Sequence, residues 1–189
     1  MRALLIAIWM IVSVSAFSQS ELMAKPKPVF HSINQLGMLE GEGGTAFQIQ
    51  TINGLKYRKF FAGVGVGLDY YKIRSIPVFL DLRHLLLKED RAPFVYIDAG
   101  WNFPWYKPGE DLTAWGWEVS TGSGLFYEGG FGYRFPFKTT ALLISAGYSY
   151  KAYTYTEKYT WTCIGCPGEY RYHYSHRLRR ASIKLGFSF

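Results

Sequence analysis

Cysteine, charge and long apolar runs are all scarce in this chain of 189 residues. Its two cysteines are too few for a small protein held together by disulfides. Charged residues make up 19% of the sequence, which is below the roughly 25% of an average soluble domain. Stretches rich in Ala, Glu and Leu are missing, so a helical bundle is not expected. After residue 20 no apolar run approaches the length of a membrane-spanning helix.

Aromatic residues and glycine are abundant instead. The chain contains 15 Tyr, 14 Phe, 6 Trp and 20 Gly. Intrinsic disorder requires few aromatic residues and little apolar content, so it is excluded. The length fits one domain of ordinary size. The composition therefore indicates a single folded domain built from strands rather than helices.

The first eighteen residues have the organisation of a secretory signal peptide. A positively charged start precedes an apolar run over residues 3–14 and then a break with small residues. Cleavage after Ser18 places Ala16 and Ser18 at the small-residue positions. A single membrane anchor is the alternative, but the run is shorter than the roughly 20 residues that a spanning helix needs. We therefore expect an exported protein with a short periplasmic lead-in over residues 19–28.

From Phe30 onward, apolar and polar residues alternate with the period of half-buried strands. The C-terminus shows this best, with apolar residues on one face and Arg180, Lys184 and small residues on the other. In the second segment Asn53-Gly54 is itself a turn signal, which is an alternative to a continuous strand. Turn residues divide the pattern into eight predicted strands: 30–39, 45–56, 59–71, 75–87, 92–104, 121–135, 139–154 and 169–189.

The two faces of these strands differ in an informative way. The polar face is rich in glycine, whereas the apolar face is bulky and ends in Tyr, Trp or Phe. This favours a membrane barrel with a lipid-facing apolar band and a polar lumen over a soluble sandwich or a lipocalin-like barrel. An even strand number brings both termini to the periplasmic side. Short connections then fall near residues 57–58, 88–91 and 136–138, and long external ones at 104–120 and 154–168. The predicted fold is an all-β, eight-stranded antiparallel up-and-down transmembrane β-barrel over residues 29–189.

Three segments besides the signal peptide carry a resemblance to a known family. They are residues 63–71 (GVGVGLDYY), 76–83 (IPVFLDLR) and 183–189 (IKLGFSF). On these, the chain resembles the small outer-membrane β-barrels of Gram-negative bacteria, the broad OmpX-type and PorT-like group. The resemblance implies an integral protein of the bacterial outer membrane. Phe187 and Phe189 are similar to the C-terminal aromatic signal that is read by the barrel assembly machinery, which the resemblance implies as a partner. The resemblance indicates an architecture rather than an activity.

Eight charged residues fall on the inferred inner face of the barrel. Uncompensated charge in a narrow lumen is costly, so acids and bases should pair there. We expect a salt-bridged plug, because eight strands enclose a lumen only just wide enough for its side chains. An ion gate or a narrow ion-conducting pore is the alternative. The eight residues are Asp69, Asp81, Arg83, Asp98, Glu128, Arg134, Arg180 and Lys184.

Cys163 and Cys166 lie in the last long connection. In an exported protein a close cysteine pair is most simply a disulfide. Free or redox-active thiols are one alternative, although no βαβ pattern accompanies them. A metal site is another, with His173 and His176 as further ligands. We expect neither a metal nor another cofactor.

The most suggestive chemistry lies close to these cysteines. His173 and Ser175 share one face of a strand, so the His could activate the Ser as a nucleophile. This is similar to the His-x-Ser pair of the outer-membrane lipid A deacylases, which implies a lipid A-modifying hydrolase. That family places the pair one hairpin earlier and follows it with an acid on the next strand, whereas here no acid follows Glu169. We prefer a polar rim on a strand that enters an external loop, and we expect no enzymatic activity.

Arg177 and Arg179 are expected to point outward just above the apolar band, at the level of lipopolysaccharide phosphates. Arginine binds phosphate well through bidentate hydrogen bonds, and snorkelling at the membrane interface is the alternative. The net charge of +7 suits this anionic surface, and no nucleic-acid partner is expected. The two long external connections, 104–120 and 154–168, are expected to contact a further partner, with Trp115 and Trp117 in the first of them as the best candidates. The predicted function is a non-enzymatic outer-membrane barrel with a structural or surface-binding role.

Overall fold

The computed structural model describes residues 27–87, 91–105, 117–161 and 168–189. Its strands are β1 (Val29–Gly41), β2 (Gly44–Tyr57), β3 (Phe60–Asp69), β4 (Ser75–Leu85), β5 (Ala92–Pro104), β6 (Trp117–Gly122), β7 (Gly124–Phe137), β8 (Thr140–Trp161) and β9 (Gly168–Ser188). Among the described residues, no helix is long and apolar enough to cross a membrane.

Eight of these strands, all except β6, form a closed antiparallel ring. Each pairs with the next one around the ring, and β9 pairs with both β8 and β1. At the closing seam Ile33 lies opposite Ser188, and Ser32 and Phe189 exchange backbone hydrogen bonds of 2.8 and 3.0 Å. Closure satisfies the backbone groups that an open sheet edge would expose. The prediction of an eight-stranded antiparallel barrel is confirmed.

β6 and β7 together occupy one place in the ring. β6 pairs with β8 just beyond β7, with Gly122 opposite Thr154 and Phe126 opposite Lys151. The step from Gly122 to Phe126 is one residue longer than the step from Lys151 to Thr154 on β8. The β6–β7 side therefore carries one extra residue, which is the pattern of a β-bulge. The predicted strand 121–135 is therefore in the right place, but strand structure here begins earlier and is interrupted at Ser123.

The turn signal Asn53-Gly54 lies inside β2 and makes no turn. Gly54 is opposite His31 on β1 and Gly63 on β3, so it is paired on both sides. A Cβ atom at Gly54 would lie 2.1 Å from the carbonyl oxygen of Ala62 and 2.4 Å from the Cα of Gly63. Glycine is required here because the two backbones approach too closely for a side chain. The turn alternative was therefore wrong.

The outer face of the ring is apolar around its middle. Leu80, Ile97 and Ile183 belong to this outer belt, with exposed fractions of 62%, 57% and 59%. Both chain termini lie at one end of the barrel, here called the terminal end, and the opposite end is called the distal end. Exposed aromatic side chains flank the belt: Phe30, Phe60, Tyr133, Phe137 and Phe189 towards the terminal end, and Phe47, Tyr70, Trp101, Phe103 and Tyr148 towards the distal end. This is the surface of a barrel that is solvated by lipid.

Two strands continue far beyond the ring at the distal end. β8 has 22 residues and β9 has 21, and they remain paired from Ala141 opposite Ser188 to Trp161 opposite Gly168. β6 adds a third strand to this projecting sheet, which we call the distal extension (117–122, 152–161 and 168–177). The predicted loops 104–120 and 154–168 are therefore partly wrong, because residues 117–120 and 154–161 are strand.

Candidate functional site

The distal half of the lumen contains one carboxylate between two cations. Asp69 forms ion pairs with Arg180 and with Lys151, whose Nζ lies 3.1 Å from Asp69 Oδ1. Arg180 also donates a hydrogen bond of 2.7 Å to Ser149 Oγ, and its guanidinium lies over the ring of Tyr71. All three charged side chains are fully buried. The group is held rigidly and is closed to solvent.

Lys151 fixes the connection between β3 and β4 to this group. Its Nζ donates hydrogen bonds of 2.9 Å to the Tyr71 carbonyl, 3.2 Å to the Ile73 carbonyl and 3.0 Å to Ser75 Oγ. The sequence analysis did not include Lys151 among the lumen charges. The period-two pattern through Ser149 was the signal that could have found it.

Lys184 is the centre of the middle group. Its Nζ lies 2.7 Å from Glu128 Oε1 and 3.7 Å from Asp98 Oδ2. The same Glu128 oxygen accepts hydrogen bonds from Tyr96 Oη at 3.0 Å and Ser182 Oγ at 2.6 Å. A single buried lysine thus lies between two carboxylates, and the neutral donors Tyr96 and Ser182 complete the contacts of Glu128.

A third ion pair joins neighbouring positions of β4. The guanidinium of Arg83 contacts the Asp81 carboxylate through Nε at 2.9 and 3.0 Å and through Nη2 at 2.8 Å. It also donates to Gln35 Oε1 across the lumen at 3.3 Å. Because Asp81 lies opposite Asp98 in the β4–β5 register, Arg83 and Lys184 together face three acids, Asp81, Asp98 and Glu128.

Seven of the eight sequence-predicted lumen residues thus lie in these three groups, and Arg134 does not. Arg134 is half-buried and lies at the terminal end beside His31 and Lys56. Lys151 occupies the place in the ion-pair groups that the prediction gave to Arg134. Among the described residues the buried charges are then equal in number: Asp69, Asp81, Asp98 and Glu128 against Arg83, Lys151, Arg180 and Lys184. Phe79 and Phe126, whose ring centres are 5.3 Å apart, fill part of the remaining cross-section.

The His-x-Ser pair is placed on the exposed surface of the distal extension. His173 Nδ1 lies 2.9 Å from Thr156 Oγ1 on the neighbouring strand. Within the described residues no hydrogen bond joins His173 to Ser175, and no three His, Cys, Asp or Glu side chains are grouped so that they could hold a metal. The pair therefore has no oriented general base in this arrangement.

Arg177 and Arg179 are exposed on β9 and stand directly above the outer belt. Arg179 lies opposite Tyr150 and Arg177 opposite Ala152, so both are just distal to the aromatic girdle. Phe187 and Phe189 are exposed at the other end of β9. Cys163, Cys166 and Trp115 lie outside the described residues, as does the side chain of Trp117.

The two faces of the distal extension differ in chemistry. On the outer face Glu169 forms two ion pairs, with Arg171 at 2.8 Å and with Lys158 at 3.4 Å. The hydrogen bond from Arg171 lowers the pKa of the Glu169 carboxyl below its ordinary value. The inner face is aromatic, with Tyr153 stacked on His176 at a centroid distance of 4.9 Å.

Comparison with known proteins adds the last observation. No protein-family description and no curated protein matches the sequence. Among solved structures, OprG from Pseudomonas aeruginosa has a TM-score of 0.55 at 10% identity, covering 85% of this chain and 95% of OprG. Neisserial surface protein A has a TM-score of 0.52 at 11% identity, covering 86% and 98%. A major outer membrane protein from Thermus thermophilus has a TM-score of 0.53 at 13% identity, covering 85% and 99%.

The fold is that of a small outer-membrane β-barrel. At these identities the likeness establishes architecture. Together with the apolar outer belt and the charged lumen, it supports the architecture of an integral membrane β-barrel.

Proposed function

We propose that this protein is a non-enzymatic outer-membrane barrel of the OmpX-type and PorT-like group, which presents its distal extension as a binding surface. The observation that carries the proposal is that the charged groups of the lumen are closed to solvent whereas side chains of the extension are open to it. Asp69, Asp98 and Glu128 in the lumen are inaccessible to solvent. The extension, in contrast, projects beyond the outer belt with exposed side chains such as Arg171, His173 and Arg177 on its outer face. An occluded lumen favours a plug over a conduit, so the accessible chemistry lies at the distal end.

Lipopolysaccharide is the proposed ligand of the outer side of β9. Arg177 and Arg179 are separated by one residue on a strand, so their side chains leave on the same side. They lie next to the aromatic girdle, where lipid phosphates meet the barrel. Two guanidiniums in this position suit bidentate contacts to phosphate. Both are exposed and therefore accessible to an external ligand.

The test compares R177Q/R179Q with R91Q, which removes an exposed arginine at the opposite end of the barrel. Purified proteins in nanodiscs are titrated with lipopolysaccharide at two salt concentrations. We expect the double variant to bind about thirtyfold more weakly, because each of the two lost phosphate contacts is worth roughly 1 kcal/mol. We expect R91Q to bind like the unaltered protein. Equal binding by all three proteins would contradict the proposal. A mobility change on boiling in SDS, equal in all three, controls for folding.

A further inference from the structure

The outer face of the distal extension carries an open depression, which we call the distal pocket. Its volume is about 350 Å³, which lies at the small end of the range for ligand pockets, roughly 300–1,000 Å³. Two rows of three side chains form it, and each strand of the extension contributes one side chain to each row. The rows are Glu118, Lys158 and Arg171, and Ser120, Thr156 and His173. Because the strands are paired, the spacing of these side chains is fixed by the sheet.

The polar groups of the distal pocket are held in place by their neighbours. Thr156 and Lys158 on the central strand β8 are half-buried and form the floor. The Lys158 Nζ lies between Glu118, at 4.0 Å, and Glu169, at 3.4 Å. His173 Nδ1 lies 2.9 Å from Thr156 Oγ1. Side chains that are already oriented lose less conformational entropy when a ligand binds.

The distal pocket offers donors and acceptors over a small area. Lys158 and Arg171 donate hydrogen bonds, the Glu118 carboxylate accepts them, and the two hydroxyls of the second row can do both. This set matches a ligand with several neighbouring hydroxyl groups, which is the chemistry of a saccharide. An isolated phosphate matches it less well, because both cations already form ion pairs with Glu169.

The aromatic side chains of the extension lie on its other face. Among the described residues, the outer face beyond Arg177 contains no Tyr, Trp or Phe, whereas Tyr153 and Tyr174 belong to the inner face. Protein–protein interfaces are enriched in aromatic residues. The outer face therefore suits a hydrophilic ligand better than a protein partner.

The distal pocket lies directly beyond the two arginines that we propose as contacts for lipopolysaccharide phosphate. Arg177 and His173 are four residues apart on the same face of β9, which is roughly 13 Å along a strand. In lipopolysaccharide the core sugars are attached to lipid A and lead away from the membrane. A molecule held at Arg177 and Arg179 would therefore carry its core sugars across the pocket.

We propose that the distal pocket binds the core oligosaccharide of lipopolysaccharide. The inference rests on the proposed function, since the arginines hold the lipid A end of the same molecule. Sugar oxygens accept hydrogen bonds from Lys158 and Arg171, and sugar hydroxyls donate to Glu118. Because the core is tethered through lipid A, even weak contacts in the pocket add to the overall affinity.

The test uses two forms of lipopolysaccharide, one with the complete core and one reduced to lipid A with its innermost sugars. Both are titrated onto purified protein in nanodiscs. T156V/K158Q alters the floor of the pocket. K138Q/T140V is the matched control, because it makes the same two replacements at the same spacing at the terminal end of the barrel, where both side chains are exposed.

The complete form should bind more tightly only where the pocket is intact. We expect the unaltered protein and K138Q/T140V to bind it about tenfold more tightly than the truncated form. This ratio corresponds to about 1.4 kcal/mol, which one or two net hydrogen bonds supply. We expect T156V/K158Q to bind the two forms alike. Mobility changes on boiling in SDS show which variants are folded, and T156V alone replaces the double variant if that one is not.

The variant R177Q/R179Q separates this inference from the proposed function, because it should weaken both forms alike and preserve the tenfold ratio. A ratio near one in the unaltered protein, or a tenfold ratio that survives in T156V/K158Q, would overturn core binding and leave the phosphate contacts standing. If neither form binds, both proposals are wrong. Free core oligosaccharide that binds as tightly as the complete form would also overturn the inference, since the pocket would then serve a soluble glycan.

Discussion

At the scale of single residues, the charges of the lumen were largely predictable from their alternation. Period-two spacing assigned Asp69, Arg180 and Lys184 to the inner face, where the structure places them. Alternation gives the face of a residue but not its height, which depends on the register between strands distant in sequence. For this reason the sequence could not distinguish Arg134, at the terminal end, from Lys151, which pairs with Asp69.

In the distal ion-pair group, replacing the single acid should lower stability more than replacing one of the two bases. D69N leaves Arg180 and Lys151 as two buried, uncompensated cations, which should lower the free energy of unfolding by about 3–5 kcal/mol. R180M leaves the balanced Asp69–Lys151 pair and the hydrogen bonds of Lys151 to the β3–β4 connection, so it should cost less. Urea titrations of folded protein in lipid vesicles measure both. Equal losses in the two variants would show that charge balance is not what stabilises this group.

At the scale of strands, the sequence predicted the apolar belt better than the segments outside it. The predicted strands inside the belt agree with the structure within a few residues. The distal part of β8 was mistaken for loop because Tyr, Thr, Lys and Glu there provide no apolar alternation. That segment is held instead by the backbone pairing of β8 with β9 and by cross-strand rings such as Tyr155 and Tyr174.

The close approach of β2 and β3 gives a prediction at this scale. G54A would place a methyl group against the backbone of Ala62 and Gly63, so the strands must separate at a cost of roughly 1–3 kcal/mol. G129A is the matched control, since its Cβ would come no nearer than 3.4 Å to its nearest neighbour, the Tyr96 carbonyl oxygen. We expect G54A to reduce the fraction of heat-modifiable, folded barrel and G129A to leave it unchanged. If both variants fold alike, the tight approach at Gly54 is not a constraint.

At the scale of the whole molecule, the arrangement of polar and apolar residues is the reverse of that in a soluble protein. Buried charged and amide side chains share the interior with an apolar cluster that includes Phe79, Phe94 and Phe126, and exposed aliphatic side chains lie around the middle of the barrel. The sequence predicted this inversion from glycine on the polar face and aromatics at the ends of the apolar face. It could not predict activity, since the architecture is shared by proteins with many different roles.

The inversion also predicts how stability depends on height in the membrane. Leu80 lies midway along β4, whereas Phe103 is one residue from the distal end of β5, and both side chains are exposed on the outer face. In a lipid-solvated barrel, L80K should cost about 2–4 kcal/mol of unfolding free energy, and F103K should cost about 0–1 kcal/mol, because charge is tolerated near the interface. In a barrel surrounded by water the difference between L80K and F103K would disappear, since replacing an exposed leucine by lysine carries no penalty there. Denaturant titrations in vesicles, followed by tryptophan fluorescence, distinguish the two cases, and equal costs for the two variants would mean that the outer belt does not face lipid.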